Sequence, residues 1–155
     1  MSREEPDASS QVALLSDAGI AELLKTSRRI AVVGASSNPD RPSFGVFRTL
    51  VAAGYECIPV NPNETQVAGV PAVATLAEAA NSGPIDIVDV FRRPELTPQI
   101  AREAVPIGAR ALWLQLDVVS WEGARIAAEA GLAVVMDRCT AIEVWRAPRP
   151  RLPPT

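Results

Sequence analysis

A chain of 155 residues is about one domain long, and with 48% hydrophobic and 21% charged residues it has the composition of an ordinary globular core. A formal net charge of −3 argues against non-specific nucleic-acid binding, and two distant cysteines, Cys57 and Cys139, do not make a disulfide framework. The absence of histidine excludes Ser-His-Asp and Cys-His catalysis, histidine metal ligands and a phosphohistidine intermediate within this chain.

Residues 1–13 read as a polar, flexible tail and residues 14–146 as the folded domain. Ser16 is expected to cap a helix with Asp17 in its first turn and Ile20, Leu23 and Leu24 on one face. Ile30, Ala31, Val32 and Val33 then form an apolar run suited to a strand buried on both faces of a parallel sheet. The run stops at Gly34, and a loop of small and polar residues follows. Phe44, Val46, Phe47 and Leu50 recur at helical spacing, so a helix is expected from about Ser43, with Ser43 as its N-cap.

Strand, small-residue loop and helix N-terminus together form a phosphate cradle, in which free loop N–H groups and the helix dipole favour an anion. Gly34, Ala35, Ser36, Arg41 and Ser43 are the candidate phosphate contacts. Gly34 keeps the backbone approachable, and Arg41 supplies a planar set of donors. The loop departs from the dinucleotide pattern G-x-G-x-x-G: Ser36 stands at the second glycine and Pro39 at the third.

Gly54 closes this helix, and residues 55–60 form the second strand, with Pro59 requiring a place where no ladder N–H is needed. Asn61 and Pro62 fall where the ribose of a nucleotide lies in doubly wound folds, and the acidic residue of an NAD site is missing there. Residues 67–73 read as an irregular or strand-like piece, and Thr75 as the cap of a short helix through Ala80. Residues 85–91 are the next strand, with Asp86 and Asp89 unusual for a buried segment. Phe91, Arg92 and Arg93 lie at its carboxyl end, where open α/β sheets meet their ligands. The arginines offer phosphate pairing and a flat surface for adenine.

A helix over residues 97–107 admits Pro98 in its first turn, and residues 111–116 form a strand with Gln115 as a candidate polar contact. A helix over 121–130 and a strand over 132–136 follow. The sequence then runs through Asp137, Arg138 and Cys139 to a Pro-rich tail, residues 147–155. Regular alternation of strands and helices predicts one α/β domain, Rossmann-like, with a doubly wound and mainly parallel sheet.

In order along the chain stand Gly34-Ala35-Ser36, Arg41-Pro42-Ser43, Pro59-Val60-Asn61-Pro62, Val88-Asp89-Val90-Phe91-Arg92, Trp113-Leu114-Gln115 and residues 134–139. This ordered set resembles the small single-domain CoA-binding proteins and the CoA-binding domain of the succinyl-CoA ligase alpha subunit, over roughly Ser16 to Arg146. The resemblance implies that coenzyme A binds as diphosphate on the Gly34–Ser36 loop with Arg41 and Ser43, and as adenosine between Asn61-Pro62 and Phe91-Arg92. The ligase's second domain, with its phosphorylated histidine, has no counterpart in this sequence, so ligase activity is not implied. The family commonly has Gly where this chain has Asp117, at the end expected to receive the thioester.

The expected ligand is therefore CoA or an acyl-CoA, bound without catalysis by this chain. The rival readings are an NAD(P)-binding oxidoreductase or redox-responsive protein on the same fold, and an interaction subunit with a vestigial nucleotide site; Cys139 reads first as a buried small residue ending a strand, and otherwise as a thiol that forms a mixed disulfide with CoA or responds to oxidants. A cytoplasmic setting, no nucleic-acid partner and no membrane partner are expected; a protein partner or homo-oligomer is left open.

Overall fold

In the computed structural model the described residues are 12–147. The expected tails at 1–11 and 148–155 lie outside them. The elements run α1 (Asp17–Thr26), β1 (Arg29–Val33), α2 (Pro42–Ala52), β2 (Glu56–Val60), the pair β3 (Gln66–Val67) and β4 (Val70–Pro71), and α3 (Leu76–Ala80). They continue with β5 (Ile87–Val90), a 3-10 turn (Pro94–Leu96), α4 (Thr97–Ala104), β6 (Ala111–Leu114), α5 (Trp121–Glu129), β7 (Ala133–Val135) and α6 (Thr140–Arg146).

Five strands form one parallel sheet in the order β2-β1-β5-β6-β7, and β3 and β4 form a separate antiparallel pair. The fold is thus the expected single-domain, Rossmann-like α/β structure. Among the sheet strands the sequential order is 2-1-3-4-5, the flavodoxin-like arrangement with its switch point between the first and third strands. β2 lies at the edge, which accommodates Pro59.

Alternation along the strands builds two cores. Ala31, Val33, Val88, Val90, Leu112 and Leu114 face α3, α4 and α5, where Leu76, Ile100, Ala101 and Ala124 close the layer. Ile30, Val32, Ile87, Ala111 and Trp113 face the other way and are covered by Ile20 and Leu24 of α1 and Phe47 and Leu50 of α2. A sheet covered on both faces explains the continuous apolar runs.

Several boundaries differ from expectation. Val12 is buried in the core and Leu15 N–H donates to the Val134 carbonyl at 3.0 Å, so the folded part begins before residue 14. α2 starts at Pro42 with Arg41 as its N-cap, because proline's fixed φ suits the first helical position; Ser43 lies inside the helix. α4 ends at Ala104, short of Ile107, and a 3-10 turn precedes it. The short helix α6 was not foreseen: Asp137–Cys139 read as a strand end running towards the tail.

Asp86 has a role at the amino end of the sheet. Its carboxylate accepts the N–H groups of Arg28 (2.8 Å) and Arg29 (3.0 Å). Its carbonyl accepts those of Arg110 (2.9 Å) and Ala111 (3.0 Å). It thereby ties β1, β5 and β6 together at the end opposite their carboxyl termini.

α4 and α5 approach closely over Gly123, where an added Cβ would stand 2.5 Å from Thr97 Cγ2 and 3.2 Å from the Thr97 carbonyl carbon. Gly123→Ala must separate the two helices and is expected to destabilise the domain by about 1–3 kcal/mol, the range for overpacking a core. Urea unfolding monitored by circular dichroism measures this loss.

Candidate functional site

A cavity of about 610 Å³ opens over the carboxyl ends of the strands. Gly34, Ser36 and Arg41 line it from the β1–α2 loop, and Pro42, Ser43 and Val46 from the first turns of α2. Asn61 reaches it from the end of β2, and Phe91, Arg92, Arg93 and Leu96 from the segment after β5. Gln115, Leu116, Asp117 and Val118 close it beyond β6, with Cys139 beyond β7. Eight of the ten residues expected from sequence therefore share one cavity. Ala35 is fully buried and Pro62 is exposed, and neither lines it. The apolar lining from Val46, Leu96, Leu116 and Val118 was missed. Extending the carboxyl-end rule beyond Gln115 would have found the last two.

Local chemistry sets the shape of the β1–α2 loop. Gly34 has φ +89°, and a Cβ there would stand 2.8 Å from Arg92 Cδ and 3.1 Å from the Phe91 carbonyl. Glycine is thus needed both for the left-handed turn and for the passage of the Arg92 stem.

The loop N–H groups were expected to be free for an anion, and those of Ser36, Ser37, Asn38, Asp40 and Arg41 are not. Ser36 N–H donates to Ser43 Oγ (3.1 Å), Ser37 N–H to Glu64 Oε2 (2.9 Å) and Asn38 N–H to Ser36 Oγ (3.1 Å). Asp40 N–H donates to Asn38 Oδ1 (2.9 Å) and Arg41 N–H to the Asn38 carbonyl (3.0 Å). Polar side chains fix the loop on itself, since Ser, Asn and Asp compete well for nearby backbone groups. The Ser37 N–H bond also holds the exposed Glu64 carboxyl below the usual carboxylate range. Ser43, expected to cap α2, instead accepts from the loop, and no side chain caps that helix.

Asn61 is similarly engaged. Its Nδ2 donates to the Ala35 carbonyl (2.9 Å) and its Oδ1 accepts Asn63 N–H (2.9 Å), so the residue staples the loops after β1 and β2 together.

The cations are available. Ion pairs among the described residues engage Arg29, Arg102, Arg110, Arg125, Arg138 and Arg146. Arg41, Arg92 and Arg93, which line the cavity, take part in none of them. They project beside the N-terminus of α2, whose dipole adds to the same positive field.

At the other end, Asp117 has φ +70° and Asp137 φ +61°, and Asp137 Oδ1 accepts Asp117 N–H at 2.7 Å. The left-handed backbone at 117 is a conformation that glycine adopts without strain. Asp117→Gly keeps the N–H bond and is expected to raise stability by about 1 kcal/mol, read as a higher urea midpoint.

The thiols differ in setting. Burial, with nearby acids, pushes Cys57 up to about 12, so it carries no thiolate at neutral pH. Cys139 is buried, at the N-cap position of α6, where its side chain makes no cap hydrogen bond.

Beneath the cavity, Asp89 is fully buried, with Thr140 Oγ1 3.0 Å from its Oδ2 and no hydrogen-bond partner for its Oδ1. Burial raises its carboxyl well above the ordinary range, only partly opposed by the Thr140 bond. The unfolded chain ionises this group near pH 4, and the folded chain does so only at higher pH. Its contribution to stability is therefore full below about pH 4 and falls as pH rises towards the folded value, by up to about 1.4 kcal/mol per pH unit. Asp89→Asn removes that linkage. Measured by urea unfolding, its stability relative to wild type is expected to improve from pH 5 to pH 8.

A family model described as "CoA binding domain" matches residues 28–145, spanning every sheet strand and every cavity residue named above. The chain belongs to this CoA-binding domain family. It is 46% identical over 127 residues to the uncharacterized protein YneT of Bacillus subtilis (strain 168), covering 82% of this chain and 93% of the relative. Its fold is similar to that of a hypothetical protein from Pyrococcus horikoshii OT3, with TM-score 0.82 and 34% identity over 86% of this chain and 92% of the other. It is also similar to part of a dinucleotide-forming acetyl-coenzyme A synthetase from Ca. Korarchaeum cryptofilum, with TM-score 0.63 over 76% of this chain and 28% of the enzyme. At 19% identity, that last likeness concerns the fold alone.

Proposed function

We propose that this CoA-binding family member binds coenzyme A or an acyl-CoA in the cavity above the β1/β5 switch point, with no catalysis of its own. The observation that carries the reading is the set of unpaired guanidinium groups, Arg41, Arg92 and Arg93, lining one cavity beside an uncapped helix N-terminus. Unpaired arginines clustered in a cleft suit a polyanion such as a diphosphate, because each guanidinium offers several donors in a plane. Phe91 and Leu96 provide apolar surface next to them for a base.

Several features favour CoA over NAD(P). The turn after β1 has Ser36 and Pro39 where a dinucleotide loop has glycines. The end of β2 carries Asn61, whose amide is bonded to backbone, rather than a carboxylate for a ribose diol. The polyanionic end of CoA, with its extra ribose phosphate, also matches three arginines better than the diphosphate of NAD alone does.

The test is a calorimetric and thermal-melting titration of the full chain with CoA, NAD and ATP. CoA at 100 times its dissociation constant is expected to stabilise the fold by about 2.7 kcal/mol, with a smaller effect from the others. A shift with NAD and none with CoA overturns the reading. Arg41→Ala is expected to weaken CoA binding by about 1.5–3 kcal/mol, the range for a charged hydrogen bond, with the fold unaffected because the side chain is exposed. Unchanged affinity by calorimetry would remove Arg41 from the site.

A further inference from the structure

Gln115 is 4% exposed yet lines the cavity. Its Oε1 accepts two hydrogen bonds from one residue, from Thr140 N–H at 3.0 Å and Thr140 Oγ1 at 2.9 Å. The backbone N–H fixes the amide orientation: with the amide reversed, two donors would face each other. The Nε2 group therefore points away from Thr140, and it makes no hydrogen bond among the described residues. A polar side chain more than nine-tenths buried, with its acceptor saturated and its donor open to a cavity, finds its acceptor outside the chain, in water or in a ligand atom.

The hydrogens along this chain of groups can be counted. Thr140 Oγ1 is within hydrogen-bond distance of both Gln115 Oε1 and Asp89 Oδ2, but it has a single hydrogen. With that hydrogen on Gln115, the contact to Asp89 needs one from the carboxyl group itself. The hydroxyl thus donates to one of these two acceptors at a time, and the Thr140 N–H bond to Gln115 holds in either case. The Thr140 N–H leaves the Gln115 amide one orientation, with its N–H groups towards the cavity.

The surroundings define what that donor meets. Leu116, Val118 and Cys139 flank it, with Asp117 at the lip, and the arginines lie beside β1 and β5. An anion is drawn to the guanidinium end and repelled by Asp117; a neutral acceptor is suited to the amide end. We propose that Gln115 donates to a neutral carbonyl oxygen on the arm of the ligand, with Thr140 as its positioning residue. This rests on the CoA reading, in which the arm carries amide carbonyls and, when acylated, a thioester carbonyl.

The test compares CoA, acetyl-CoA and the arm-less fragment adenosine 3′-phosphate 5′-diphosphate by calorimetry on the full chain. Gln115→Ala is expected to weaken CoA, acetyl-CoA or both about ten-fold, the loss of one buried hydrogen bond, and to leave the fragment within about two-fold. Loss for acetyl-CoA alone assigns the thioester carbonyl; equal loss for both assigns an arm amide. Thr140→Val keeps the orienting N–H and removes one of the two bonds to Oε1, so it is expected to weaken the same ligands by less than Gln115→Ala does, and Thr140→Ser should restore them, which a merely structural role does not require. Fragment binding by each variant certifies its fold, and Gln115→Glu serves if the alanine variant fails that check. Equal change for all three ligands, or no change for any, overturns the proposal. If neither CoA nor the fragment binds the wild-type chain, the CoA reading falls and the proposal with it.

Discussion

The structure depends on one topological constraint: β1 and β5 are neighbours in a parallel sheet, yet the helices that follow them cover opposite faces. The chain leaving β1 turns towards the side covered by α1 and α2, and the chain leaving β5 turns towards the side covered by α4 and α5. A crevice must open between them at the carboxyl ends. Gly34 sits at that divergence, and the Arg92 stem passes where its side chain would have been. One glycine thus satisfies the turn and admits the cation, linking backbone conformation directly to the charge of the cleft.

Given the crevice, the distribution of charge follows from where partners are available. Arg29 and Arg110, at the amino ends of the strands, meet Glu56 and Asp86. Arg138 and Arg146 converge on Glu143 of α6. In the carboxyl-end loops Arg41, Arg92 and Arg93 form no ion pair among the described residues, although Asp40 and Glu95 are close to them in sequence and Asp117 lines the same cavity. Glu64, the carboxylate that reaches the β1–α2 loop, is held by Ser37 N–H. A protein of net negative charge can in this way keep a locally positive cleft.

Much of this was legible in the sequence, for identifiable reasons. The apolar runs at 30–33, 87–90 and 111–114 announced buried parallel strands because both faces of the sheet are covered. The carboxyl-end rule then located Arg41, Arg92 and Gln115 without any contact information. The loop hydrogen bonds were not legible, because the Ser36–Ser43 and Ser37–Glu64 contacts bring together residues 7 and 27 positions apart. Ser43 was misassigned because serine suits both an N-cap and a loop acceptor, and Pro42 decides between them only through its fixed φ. α6 escaped notice because it has 7 residues and is secured by tertiary bonds: Thr140 to Gln115 and Asp89, and Trp113 Nε1 donating to the Arg138 carbonyl at 2.8 Å. So short a segment carries little periodicity of its own.

Asp89 shows why an expensive group is retained at the centre of such a fold. An apolar residue at this strand position would satisfy the core, and an ionised carboxylate there would be strongly disfavoured. A protonated carboxyl avoids the charge and supplies a hydrogen that no aliphatic side chain can. The Thr140 hydroxyl lies 3.0 Å from Asp89 Oδ2 and 2.9 Å from Gln115 Oε1, and so bridges the buried carboxyl and the cavity amide. The same contact reaches from the middle of β5 to the first residue of α6, so the helix is set against the sheet by a polar bond in a dry interior, where such bonds are strongest. The amide at the cavity and the docking of the last helix therefore meet at one residue, Thr140. A side chain that served only packing would link neither.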